Sequence, residues 1–199
     1  LNPFSSSGEF ILVPSPNWNG TPFDEYLLLE FFAPEGLNNS FSFPSYSYYD
    51  GNLNPHVFTY PKQYGLRVYH VDARLGYYKS IISKSESCFA DDPNIEAWLE
   101  KVTNKYIGFG NSNDTLGTVN DNARVLLHLL ESSGKNTFKD GMSASDDTLF
   151  QINDGMGYGK FDDFEFNKVK SNNTLESFQY RFKVSHINSK EITIKFEHK

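Results

Sequence analysis

The chain has a single cysteine, Cys88, so no disulfide can close within it, and a buried or half-buried thiol is the plain expectation for that residue. It has no apolar run approaching the ~20 residues that a membrane-spanning helix needs. Positive charge is scarce: 18 Lys and Arg stand against 25 Asp and Glu, a formal net charge of −7. No block of Lys or Arg offsets this locally, and an acidic surface repels a phosphate backbone, so nucleic acid is not an expected partner.

Familiar catalytic signatures are missing too. The histidines are His56, His70, His128, His186 and His198, and no two are four residues apart. The paired imidazoles of a His-Glu-x-x-His zinc helix therefore do not occur. Gly141-Met142-Ser143-Ala144-Ser145 fails a Gly-x-Ser-x-Gly elbow at its last position. The glycine cluster ending in Gly159-Lys160 runs into Phe161, where a phosphate loop needs Ser or Thr. The initiator Met is absent as well: the sequence opens Leu1-Asn2-Pro3-Phe4, which suggests a processed protein or a piece cut from something longer.

What is abundant is aromatic and turn-forming. Of 199 residues, 18 are Phe and 12 are Tyr, and such rings favour pleated surfaces. Glu9 to Val13 reads as a strand closed by Pro14 and Pro16. Phe23 to Phe32 is apolar on both faces, as in a doubly buried strand, and Pro34 ends it. Residues 36–64 read as a long covering loop. Leu66 to Asp72 and Tyr77 to Ile82 read as strands. Val125 to Glu131 fits strand or helix and is assigned to strand for its shortness. One amphipathic helix is expected from Pro93 to about Lys105, with Ile95, Trp98, Leu99, Val102 and Tyr106 at helical spacing and Gly108 as its stop. Residues 110–122 and 132–147 read as polar loops, and Gly155 to Gly159 as a turn. The clearest pattern is the last: Phe178, Tyr180, Phe182 and Val184, then Ile192, Ile194 and Phe196, alternate with polar residues as a half-exposed hairpin. The expected fold is mainly β, an antiparallel sandwich-like architecture with one helix and long loops. It forms a single region over 1–199, with a main sheet portion in 1–135 and completing strands in 136–199.

Three polar residues invite a role. Glu30 ends an apolar strand, and His70 and Asp72 share a face of another. A carboxylate among such neighbours needs a partner, and His70 or Arg74 could supply it across adjacent strands. Such a pair would fix strand register; alternatively, the residues would line a cleft shared with a preceding domain. The acidic pair Asp146-Asp147 is a calcium candidate, since loop carboxylates supply the oxygens calcium takes, although no EF-hand spacing is present. Its plainer reading is a solvated turn.

Glu25-Tyr26-Leu27-Leu28-Leu29-Glu30 and Gly65-Leu66-Arg67-Val68-Tyr69-His70-Val71-Asp72, followed by Leu126 to Gly134, Asp146 to Phe150 and the closing hairpin, have an order that resembles immune inhibitor A-like secreted metallopeptidases, peptidase family M-six. The resemblance implies a C-terminal region of an extracellular bacterial protein whose catalytic domain lies upstream. On that view zinc belongs to the upstream domain, the peptidase domain of the same chain is the partner, and protein is the substrate. This region would be non-catalytic and would pack on that domain or shape its cleft; no zinc ligand or general base carries over. The rival expectation is an extracellular carbohydrate- or surface-binding sandwich module, from Trp18 and the Tyr46-Ser47-Tyr48-Tyr49 segment, since sugars stack on exposed rings.

Overall fold

A computed structural model describes residues 1–36, 38–39, 46–49, 55–58, 61–78, 87–89, 95–101, 106–109, 126–138 and 144–199. Strands dominate, and among the described residues the named strands pair antiparallel. The main sheet takes β1 (Phe10–Pro14), β2 (Glu25–Phe32), β5 (Gly65–Asp72) and β9 (Leu127–Leu130) in the order β1-β2-β5-β9. Between β2 and β9 in the chain lie two small sheets. One pairs β3 (Tyr46–Tyr49) with β4 (Pro55–Phe58); the other sets β6 (Leu75–Tyr78) between β7 (Ser87–Phe89) and β8 (Tyr106–Phe109). The C-terminal part supplies β10 (Gly155–Met156), β11 (Glu165–Val169), β12 (Leu175–Ser177), β13 (Tyr180–Ile187) and β14 (Ile192–His198). Of these, β13 sits between β10 and β14, and β11 pairs with β12.

Register decides which side chains meet. Ile11 and Val13 lie opposite Leu29 and Leu27. Leu27 and Leu29 lie opposite His70 and Val68, which lie opposite His128 and Leu130. These residues share the inner face, because side chains alternate along a strand. That face closes on Phe150, Met156, Phe166, Phe178, Phe182, Val184 and Ile192 in a single core. The core therefore draws on both the 1–135 and the 136–199 portions, in a sandwich-like arrangement. Its aromatic part is a chain of edge contacts, Phe164–Phe178 at 6.0 Å and Phe178–Phe182 at 6.2 Å between ring centres, with interplanar angles of 90° and 87°. Where β9 ends, Phe150 takes the place beside β5, exchanging two backbone hydrogen bonds with Leu66 at 3.0 and 2.9 Å. Close approach at β10 requires glycine: a Cβ on Gly155 would lie 1.9 Å from the Phe182 carbonyl oxygen.

Several sequence expectations need correction. Residues 36–64 are not all loop: they contain β3 and β4, whose Tyr-rich and Val57-Phe58 stretches favour pleated backbone despite the surrounding Asn, Ser and Pro. The helix is observed as α2, Ile95–Leu99, following a short N-terminal helix α1 at Phe4–Ser7, and residues 93–94 and 102–105 lie outside the described set. Tyr106 and Gly108 are not its last turn and stop. They belong to β8, where Gly108 pairs with Gly76, so cross-strand pairing prevails over helical spacing. Gly155 and Met156 form a strand rather than a turn. Of Tyr77 to Ile82, Tyr77 and Tyr78 are in β6, and 79–82 lie outside the described residues, as do 110–122. The strand assignment at 125–131 agrees with β9.

Candidate functional site: a buried polar cluster between the layers

The entry of β2 carries two carboxylates into the interior. Asp24 is fully buried; its Oδ2 accepts from the Asn19 amide at 2.6 Å, and its Oδ1 accepts from the Glu25 amide at 2.8 Å and pairs with Lys168 Nζ at 2.6 Å. Glu25, also fully buried, alternates with Leu27, Leu29 and Phe31 and so faces the second layer. Its Oε1 meets His70 Nε2 at 2.6 Å and the Asn167 amide at 2.6 Å, and its Oε2 accepts from the Lys168 amide at 2.8 Å. One side chain of β2 thus binds β5 and the main chain of β11 together. At the end of β5, Asp72 holds Arg74 through two parallel bonds of 2.8 Å and accepts from Asn167 Nδ2 at 3.2 Å. Lys168 Nζ also donates to the Asn17 carbonyl at 3.1 Å.

Glu176 completes the group less comfortably. Its Oε1 accepts from Asn17 Nδ2 at 3.1 Å, whereas Oε2 is buried with no partner among the described residues. Burial pushes its carboxyl above the ordinary range, against the pull of Asn17 and Lys168.

The three residues singled out from sequence do not converge. His70 and Asp72 are on the inner face, and Glu30 is on the outer one. Glu30 finds neither His70 nor Arg74: its Oε1 accepts from Arg67 Nη1 at 2.9 Å and from the Tyr69 hydroxyl at 3.1 Å. The Arg67 guanidinium lies 4.0 Å from the centre of the Phe32 ring. Burial, with the Glu30 charge beside it, pushes the Tyr69 hydroxyl up to about 12. Asp146 Oδ1 accepts from the amides of Lys62 and Gln63 at 2.5 and 2.9 Å, and Asp147 is exposed. Among the described residues no three His, Cys, Asp or Glu side chains gather where they could hold a metal ion.

The sequence reading missed Glu25, Arg67, Asn167 and Lys168. A signal existed for Glu25: counting by twos from Phe31 places it inside. In a run apolar on both faces, however, neither parity stands out as the core.

Chemically, the cluster works as a joint. The carboxylates of Asp24, Glu25 and Asp72 are occupied by donors of the same chain, and breaking one such buried pair costs about 3–5 kcal/mol. Comparison of the chain with protein-family models, with curated proteins and with solved structures gives no match in any of the three.

Proposed function

We propose that this chain is a non-catalytic accessory region of a secreted zinc metallopeptidase-like protein, packing on its peptidase domain or shaping that domain's cleft. The observation that carries the reading is the outer face of the main sheet. By register Phe10, Leu12, Tyr26, Leu28, Leu127 and Leu129 share it, with Phe10 53% and Leu127 50% exposed and the other four half-buried. Apolar surface of this kind on a soluble fold is characteristic of contact with another protein surface. The saturated carboxylates of the inner face support the same reading, since they are engaged in joining layers. In this reading the zinc, the protein substrate and the general base belong to the upstream domain, and the protein acts outside the cell.

The test is binding of this region to the separately produced domain encoded upstream in its gene. The double change Phe10→Asp and Leu127→Asp should weaken binding at least tenfold while leaving far-UV circular dichroism unchanged. Unaltered binding, or proteolysis of casein by this region alone, would end the proposal.

A second reading has its own observation. Trp18 and Phe23, on the loop from β1 to β2, are 37% and 46% exposed, and Trp18 Nε1 is held by the Thr21 carbonyl at 2.9 Å. Exposed, fixed rings are platforms on which sugar faces stack. Glycan-array binding that disappears in Trp18→Ala would favour this carbohydrate-binding module over the accessory region.

A further inference from the structure

His70 and His128 lie directly opposite each other on β5 and β9, both on the inner face. They are bonded very differently. His70 Nε2 meets Glu25 Oε1 at 2.6 Å, and the same carboxylate accepts from the amides of Asn167 and Lys168. The Phe164 and Phe166 rings present edges to His70 at 5.4 and 6.0 Å. His128 has Asn136 beside it, which favours the charged ring, but its Nε2 is buried with no partner among the described residues. A proton arriving there would create a cationic N–H with no acceptor in a place removed from water.

The strand that carries His128, the four-residue β9, is short and lies at one end of the described sheet. Among the described residues it is held by its ladder to β5, by Leu130 in the core, by the bond from the Asp72 amide to the Leu126 carbonyl at 3.0 Å and, just beyond the strand, by Ser132 Oγ donating to the Asp147 carbonyl at 2.9 Å. We propose that the His70–His128 pair is a proton-triggered latch: acidification charges His128 and releases β9 from the edge of β5, while the rest of the core stays closed.

The direction follows from linkage. With β9 docked, burial first and His70 second hold His128 below its ordinary value of 6.5. Once β9 detaches, His128 meets water and titrates near that value. The detached form therefore binds the proton more readily, and its share grows as pH falls below about 6.5, by up to about tenfold per pH unit. Growth stops once pH is below the docked value as well.

The other charges facing the pair among the described residues do not remove the effect. Glu131, whose oxygens accept from the amide and hydroxyl of Thr137, and Asn136 favour the charged ring, but burial and His70 outweigh them. Glu25 is engaged by His70 and β11, Asp72 by Arg74, and Lys168 by Asp24. The latch is independent of the accessory-region reading and would stand if that failed.

Hydrogen exchange of the whole chain, corrected for intrinsic rates, tests it at pH 7.5 and 5.0. Protection of residues 127–130 should fall about tenfold or more at the lower pH while β13 stays protected, and His128→Gln should remove the difference. Unchanged protection of β9, an equal loss in β13, or the same loss in His128→Gln would overturn the latch. If that variant does not fold, nuclear magnetic resonance of the wild-type chain decides. The His128 ring and the Leu129 amide should then titrate with one midpoint, and separate midpoints would refute the coupling.

Discussion

Burial leaves Glu176 with one oxygen bonded to Asn17 and the other without a partner among the described residues, so its charged form is a cost the fold carries. In the unfolded chain the carboxyl titrates near 4.5, and in the fold it titrates higher. The penalty is thus fully present above the folded value and gone below the unfolded one. Glu176→Gln is expected to stabilise by about 1 kcal/mol at pH 7 and by nothing at pH 3.5, as urea titrations at the two values would show. Glu25 is the opposite case. Glu25→Gln removes the charge that accepts from His70 and two amides and is expected to cost about 3–5 kcal/mol in the same measurement. From sequence, the need of Glu30 for a partner was legible and the identity of the partner was not. Arg67 lies directly opposite Glu30, and pairing register is not written in either strand alone.

At the level of elements, legibility followed exposure. The β13–β14 hairpin could be read because each strand has a wet side, so polar residues mark the period. β2 could be recognised as a buried strand, but its inner and outer faces could not be told apart, and the joint built on Glu25 stayed hidden with them. The β3 and β4 strands were obscured by neighbouring Asn, Ser and Pro. β10 is the least legible, since two residues give no period at all. It is held by Gly155, and Gly155→Ala would drive a methyl group into the Phe182 carbonyl. Exchange protection at Met156 should then collapse to that of a loop, with Leu27 and Leu29 on β2 still protected.

For the whole molecule, the inner face of the main sheet has its cover in the C-terminal third. Leu27, Leu29, Phe31, Leu66 and Val68 are inaccessible to solvent in the chain and are packed by Phe150, Phe166, Phe178 and Phe182. A chain cut after residue 138 would expose them. It is expected to bind the dye ANS strongly and to show no cooperative thermal transition. Within the intact chain, Phe182→Ala should cost about 3–5 kcal/mol, read from the shift of the denaturation midpoint. The core is shared between residues up to Leu130 and residues from Phe150 onward, which makes the two stretches interdependent.

Glu25 reaches across to β11 by grasping main-chain N–H groups, which every amino acid except proline provides. The seam it closes is therefore indifferent to most side chains that could stand at 167: alanine there would surrender only the link to Asp72. Proline at the same place would silence one of the two donors and pry the layers apart, so the tolerance of this seam is wide in chemistry and narrow in backbone.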